Sequence, residues 1–415
     1  MTSKQNKLRE LGKQAVQQSL PARMQAFRCM LNERTLTYKR TLLSAADREV
    51  TVQDPFTGAL RNMLMFASNN YLGLATHPHV VQRVKETIDR YGCGMGGPPL
   101  LNGYNRLIAE LEERLAAFKS QEAALVFSSG FAANLGIAGA LCRSNDLILY
   151  DEKSHASLYD GLQLTGAKGI PYLHNNITQL TALLEEAKPK QGTVFVCTEG
   201  VFSMDGDLAP LDQIARLCKQ DGAMLVVDDA HGTGVLGEEG SGTASYLQCA
   251  HEADITMGTF SKAFATCGGF VAASAGLVEY LRYHARSYVF SASLPPPVVA
   301  TVLAGLEVIH AEPWLRKQLQ QNAAYAIQKL APFGFCVPPQ AAIIALKLPE
   351  QMSLEKAAFL FHQKGIFVNP IEYPAVPPGG ERFRISIMAT HTREDIDRLA
   401  TATEEVWNDP SAYHS

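Results

Sequence analysis

Four stretches of this chain place reactive side chains just past short apolar runs. LILYDEKSHAS carries His155, TEGVFSMDGDLAP carries Ser203 and Asp205, MLVVDDAHGTGV carries Asp228 with His231 three positions on, and ITMGTFSKAF carries Thr259, Ser261 and Lys262. In open α/β sheets ligands bind beyond the carboxyl ends of the strands, which is where each of these groups falls. Lys262 lies between the apolar ITMGTF and the small-residue run AFATCGGFVAA. Desolvation there favours the neutral, nucleophilic amine that a Schiff-base lysine needs. An acid near a pyridine nitrogen keeps such a ring protonated and electron-withdrawing, and hydroxyls with backbone N–H groups can hold a phosphate. Each residue alone has an ordinary explanation: a strand-end acid caps a helix, a histidine packs in a core, a lysine is solvated. Four such sets at the same place relative to a strand argue for one site.

The elements that must position them are legible in outline. β-rich runs recur as ALVF (124–127), LILY (147–150), TVFVCTE (193–199), MLVVDD (224–229), ITMGTF (255–260) and GGFVAAS (268–274). Segments of helical period lie between several of them. NRLIAELEERLAAFK sets Leu107, Ile108, Leu111, Leu115 and Phe118 on one stripe. The alternation predicts a mainly parallel sheet covered by helices on both faces. Residues 1–60 read as a polar, helix-leaning N-terminal segment closed by the turn-rich Asp54–Gly58, and 61–295 as the large domain. After the proline run SLPPPVV, residues 296–415 read as a smaller C-terminal α/β domain. The glycine cluster GCGMGG (92–97) follows an amphipathic helix and not a strand, so it reads as a turn and not as a dinucleotide loop.

Composition narrows the class. The chain has 415 residues, 37 Lys plus Arg against 41 Asp plus Glu, and a formal net charge of -4. That balance gives no footprint for nucleic acid and no polybasic patch for anionic membranes. No apolar run approaches the roughly 20 residues of a spanning helix, and the polar N-terminus has no signal-peptide core. Eight cysteines, at 29, 93, 142, 197, 218, 249, 267 and 336, form no C-x-x-C pair. They predict neither disulfide framework nor zinc site, and a reducing cytoplasm as the setting. Cys197 and Cys267, inside apolar stretches, read as packed small hydrophobes.

Asp228-x-x-His231 followed by Thr259-x-Ser261-Lys262 resembles the signature of the fold-type-I pyridoxal-phosphate (PLP) enzymes. ASNNYLGL, FSSGFAANLG, DEKSHAS, EGVFSMDGDLAPL, DDAHGTGVLG, GTFSKAF, FSASLPP and RFRISIMATHT together resemble the α-oxoamine synthases over roughly residues 60 to 400. That family includes serine palmitoyltransferase, 8-amino-7-oxononanoate synthase, 2-amino-3-ketobutyrate CoA ligase and 5-aminolevulinate synthase. The resemblance implies a large domain with a mainly parallel seven-stranded sheet. It also implies a cytoplasmic enzyme that joins an amino acid to an acyl thioester by decarboxylative Claisen condensation, releasing CO2 and free thiol. Lys262 would form the Schiff base and then take the α-proton, Asp228 would pair with the pyridine nitrogen, and His155 would stack on the ring. His231 and Ser203 would lie near the ring's 3-oxygen. Gly130 and Phe131 would offer N–H groups to the phosphate beside the hydroxyls of Thr259 and Ser261. Ser291 would reach the phosphate of a neighbouring subunit, implying a homodimer. Arg384, helped by Asn69, would hold the amino-acid carboxylate, with Arg382 and Asn70 as the competing positions.

The chain departs from the family pattern after its glycine cluster. Where members carry sequences of the type GGTRNISG, it reads Gly96-Gly97-Pro98-Pro99-Leu100-Leu101-Asn102-Gly103. Two prolines in place of a polar pair remove hydrogen-bonding capacity and stiffen the loop, which favours a hydrophobic acyl group over a short carboxylated one. In EYPAVPPGG, Ala375 stands where the oxononanoate synthases place a substrate-touching Thr. The expectation is a serine palmitoyltransferase-like activity. Alanine with pimeloyl thioester or glycine with acetyl-CoA are the alternatives, and the donor is bound to CoA or to an acyl-carrier protein. An aminotransferase would share Asp228 and Lys262 without needing the SHAS and DAHGTGV contexts. A non-catalytic partner subunit would lack the lysine, which is present.

Overall fold

The computed structural model describes residues 19–21, 24–25, 37–187, 192–373 and 375–413. Its centre is a seven-stranded sheet of β4 (Ala123–Phe127), β5 (Leu147–Asp151), β6 (Lys168–Tyr172), β7 (Val194–Glu199), β8 (Met224–Asp228), β9 (Ile255–Thr259) and β10 (Gly269–Ala273), in the order β4-β10-β9-β8-β7-β5-β6. β5 to β9 pair in parallel with their neighbours in that run, and β10 runs antiparallel to both β4 and β9. All residues of β9 and β10 are buried. Continuous burial without alternation marks strands covered on both faces. Six of the seven strands coincide with the apolar runs of the sequence. β6 does not: it is an edge strand, mostly solvent-facing, with Gly169 and Pro171 in it. A sheet edge tolerates Pro, and an exposed strand has no apolar signature.

Helices cover the sheet. The stripe read in NRLIAELEERLAAFK is the helix Arg106–Phe118, which buries Ile108, Leu111 and Leu115 and starts on the Asn105 side chain. Gly130–Leu141 is apolar all round, begins at Ser129 and buries seven of its residues between sheet and neighbouring helices. Pro296 and Pro297 open a 16-residue helix, Pro296–Ala311, so the proline run starts an element as well as ending one. No single helix among the described residues is long and apolar enough to cross a membrane.

Of residues 1–60, read as helix-leaning, 1–18, 22–23 and 26–36 lie outside the described residues, and over 41–53 the structure corrects the reading. β1 (Thr41–Leu42), β2 (Glu49–Gln53) and β3 (Leu60–Met65) form an antiparallel meander turned at Asp54, whose carboxylate accepts the N–H groups of Phe56 and Thr57. β2 alternates exposed and buried positions, a one-sided strand whose polar half outweighs its apolar half in composition. β3 pairs in parallel with β12 (Ile366–Phe367), tying the meander to the C-terminal part. There β11 (Ile343–Lys347), β13 (Asn369–Ile371) and β14 (Arg382–Ser386) make a three-stranded sheet with β14 in the middle. The last helix, Arg393–Trp407, carries a capping box of Thr392 and Asp395.

Candidate active site

The carboxyl ends of β5, β7, β8 and β9 open onto one cavity of about 270 Å³. Gly130, Phe131, His155, Ser203, Asp228, His231, Thr259, Ser261 and Lys262 all line it. Nine of the residues singled out in the sequence, spread over more than a hundred positions, thus meet in one place.

One end of the cavity is the start of the helix Gly130–Leu141. The first N–H groups of a helix have no intrahelical acceptor. Ser129 takes up two of them, with its Oγ accepting from Ala132 at 3.0 Å and its carbonyl from Ala133 at 3.0 Å, which leaves those of Gly130 and Phe131 at the helix end. Opposite them the Thr259 and Ser261 hydroxyls stand 2.9 Å apart. The backbones approach closely here. A Cβ on Gly269 would lie 2.6 Å from the Gly130 nitrogen, so a side chain there would push the helix start off the sheet. Unused N–H groups, a positive helix end and two hydroxyls are the donor set for a phosphate.

In the middle, Asp228 ends β8. Its Oδ2 accepts from Asn134 Nδ2 at 2.8 Å and its Oδ1 from the Ala230 N–H at 3.1 Å. The same Asn134 amide donates to Ser157 Oγ at 2.8 Å, and Ser157 Oγ lies 2.8 Å from His155 Nδ1. One hydrogen-bonded chain therefore joins the carboxylate to the imidazole whose ring borders the cavity. Asn134 is 4% exposed and was not among the residues read from the sequence. The available signal was a single amide in the otherwise apolar GFAANLGIAGAL, since a buried polar group needs partners.

At the other side Lys262 Nζ lies 2.8 Å from His231 Nε2, and His231 Nδ1 lies 2.7 Å from the Tyr71 hydroxyl. Tyr71 also donates to Asn69 Oδ1 at 3.2 Å, which accepts from Arg384 Nη2 at 3.1 Å. All four contacts are satisfied together when Lys262 donates to Nε2 and His231 donates through Nδ1. Burial, then the Arg384 charge, lowers Lys262 to about 8, against the pull of Asp228. Burial, with the Lys262, Arg384 and His155 charges adding to it, holds His231 well below the ordinary histidine range. Tyr71, fully buried, is pushed up to about 12. Sequence reading missed it although it sits inside ASNNYLGL, because a tyrosine between asparagines and apolar residues carries no spacing of its own.

The two open pairs separate. Arg384 is 4% exposed and is held by the Ser203 carbonyl and, at 2.9 Å, by Ser386 Oγ. Arg382, two residues earlier on β14, is ion-paired to Asp205, which also receives Lys153 at 2.7 Å. Asn70 faces away from the arginines, its Oδ1 accepting the Ala75 N–H and its Nδ2 donating to the Ala46 carbonyl. Ser291, assigned to a neighbouring subunit's phosphate, lies off this chain's own cavity, in a small recess with Pro99, Ser287 and Ser293. One expectation falls elsewhere. Cys267 is exposed and borders the cavity, in place of the packed thiol expected. The turn from Phe260 to Gly268, whose φ is +116°, brings it outward. Cys197 is buried as read.

A second cavity of about 530 Å³ adjoins the first and shares His155 and Ser203 with it. Phe202, Met204, Ala375, Val376 and Pro377 line it beside Glu152, Asp160 and the Lys153–Asp205–Arg382 cluster.

A phosphate end, a central carboxylate beside an imidazole, and a desolvated lysine fit pyridoxal phosphate group by group. The chain belongs to the aminotransferase class I and II family, whose model matches residues 61–402. Within it, the chain is an α-oxoamine synthase, a PLP-dependent acyltransferase. It is 43% identical to the 8-amino-7-oxononanoate synthase of Geotalea daltonii over 349 residues, covering 83% of this chain and 89% of that one. It is 39% identical to the serine palmitoyltransferase of Sphingobacterium spiritivorum over 361 residues, 87% of this chain and 89% of the relative. Among solved structures, a serine palmitoyltransferase with PLP internal aldimine superposes with a TM-score of 0.87 at 31% identity, covering 94% of this chain and 98% of that one.

Proposed function

We propose that this enzyme condenses a small amino acid, with serine first, and a long or medium acyl thioester, in the manner of a serine palmitoyltransferase. Bound PLP supplies an electron sink for negative charge at the amino acid's α-carbon. Lys262 is the residue that holds it, and its lowered proton affinity lets the amine act as a base near neutrality. Asp228 would face the ring nitrogen, His155 would cover the ring, and His231 with Ser203 would border its oxygen side. Gly130, Phe131, Thr259 and Ser261 would hold the phosphate. Arg384 takes the amino-acid carboxylate as a planar guanidinium already oriented by Asn69 and Ser386.

The observation that carries the acyl preference is the second cavity. Apolar side chains line part of it, and its charged residues are three acids, Glu152, Asp160 and Asp205, against two cations, Lys153 and Arg382, both paired to Asp205, a balance that disfavours a carboxylate at the far end of an acyl chain. Ala375 in that wall offers no hydroxyl. The 43% identity to an oxononanoate synthase supports alanine with pimeloyl thioester as the second reading.

The same reading takes the enzyme as a cytoplasmic homodimer with shared sites. Leu101 and Phe290, 81% and 75% exposed, flank the recess of Ser291, an apolar surface suited to a second copy. Free, buried Cys142, Cys197, Cys218 and Cys249 suit a reducing compartment. Residues 1–60 are then an N-terminal segment, 61–295 the cofactor domain and 296–415 the small domain.

The test is absorbance of the PLP-loaded protein titrated with glycine, alanine and serine, followed by turnover with acyl-CoA and acyl-carrier-protein donors of increasing length. A spectral shift with serine and turnover with long acyl donors are expected. A shift with alanine alone and turnover with pimeloyl donors would overturn the first reading in favour of the second.

A further inference from the structure

Glu199 is the last residue of β7, and its Cα is the register partner of Asp228, the last residue of β8. Partnered positions on adjacent strands project to one face with Cβ atoms about 5 Å apart. Both residues line the PLP cavity, so two carboxyl groups share its floor. Their surroundings differ. Asp228 has a donor on each oxygen, Asn134 and the Ala230 N–H. Glu199 is 3% exposed; its Oε2 accepts the Ser203 N–H at 3.3 Å, and its buried Oε1 has no hydrogen-bond partner among the described residues. An ionised carboxylate with one buried oxygen lacking a protein donor is costly, whereas the neutral acid is far less so.

Two carboxyl groups this close, one of them buried, do not both ionise; the one with donors takes the charge. Burial, and then the charge of Asp228, holds Glu199 well above the usual carboxyl range. The groups facing it that act the other way are the N–H groups of Ser203 and His155 and the Lys262 ammonium, and they do not outweigh burial.

We propose that Glu199 and Asp228 share a single proton, held on Glu199, so that Asp228 alone presents negative charge to the cofactor ring. Glu199 is a positioning residue that acts through Asp228. The location of the proton stands on the cavity alone; its use rests on the reading of Asp228 as the partner of the ring nitrogen.

Infrared spectra of the full-length protein near neutral pH, with and without PLP, compared with Glu199→Gln, test this directly. The wild-type protein should show a protonated-carboxyl C=O stretch that Glu199→Gln removes. Asp228→Asn should move the ionisation of that band to lower pH, because it removes the neighbouring charge. Glu199→Gln, which copies the shape and neutrality of the acid, should bind PLP as tightly as wild type. Only carboxylate bands at Glu199, or PLP affinity weakened about tenfold or more by Glu199→Gln, would overturn the proposal. If Glu199→Gln does not fold, the titration of the band in wild type against Asp228→Asn decides alone. A carboxyl band that behaves as expected, together with an Asp228→Asn variant that binds PLP normally, would uphold the shared proton and remove Asp228 from its assigned role.

Discussion

Lys262 Nζ stands 2.8 Å from one nitrogen of His231, and the other nitrogen stands 2.7 Å from the buried hydroxyl of Tyr71. A histidine kept neutral beside an amine can accept its hydrogen bond without adding a second positive charge. The amine, at about 8, is then half neutral at that pH, and the neutral fraction falls about tenfold for each pH unit below. The rate at which the cofactor-free protein captures PLP should therefore climb with pH to about 8 and level off above it, read by stopped-flow absorbance. Lys262→Ala should abolish capture and lower turnover by about 10²–10⁴-fold. A flat pH profile would contradict the role of this pair.

Arg384 and Arg382 should respond oppositely to truncation. Arg384→Ala removes a buried guanidinium that nothing in the Asn69–Ser386 corner replaces. Amino-acid affinity should fall about tenfold to a hundredfold, the range of a hydrogen bond to a charged group. Arg382→Ala breaks the pair with Asp205 and should leave amino-acid affinity near wild type while raising the KM of the acyl donor. Equilibrium titration of the amino acid and steady-state kinetics in the donor separate the two effects.

Asn134→Ala takes one donor from Asp228 and opens the path to Ser157 and His155. A buried acceptor stripped of its donor costs about 1–3 kcal/mol. PLP should bind roughly tenfold more weakly, measured by absorbance titration, and Asn134→Asp should be worse because it sets a second acid against Asp228.

His391 predicts the acid limit of the fold. Its ring is stacked on Phe66 with centroids 4.3 Å apart, accepts the Met388 N–H at 3.0 Å and lies 3.0 Å from the Met65 carbonyl. Both nitrogens are satisfied by the neutral ring, and burial lowers it from 6.5 to about 4. The unfolded chain then binds this proton at higher pH than the folded one, so the contribution is whole above about 6.5 and is lost as pH falls towards about 4. The loss is on the order of 3 kcal/mol. Denaturant unfolding across that window should show the slope, and His391→Gln should flatten it.

The parallel strands and their reactive ends were legible because a strand buried on both faces is written as an unbroken apolar run followed by polar residues. What escaped shares the opposite property. β6 is exposed, β2 shows only half its side chains to the core, and Tyr71, Asn134 and Glu199 are polar groups inside otherwise ordinary segments. Their roles come from partners 23 to 160 positions away, and spacing along the chain holds no record of such pairings. The resemblance of RFRIS already favoured Arg384 over Arg382, and only the fold shows Asp205 pairing with Arg382.

The clamp between Asn69 and Arg384 joins an early segment to the last strand of the chain. The phosphate cradle and lysine, between Gly130 and Gly268, come from the interior of the sequence. During vectorial synthesis the cradle emerges from the ribosome first, and the Asn69–Arg384 bond cannot form until β14 follows. A chain stopped before β14 would lack Arg384, the guanidinium proposed to take the amino-acid carboxylate.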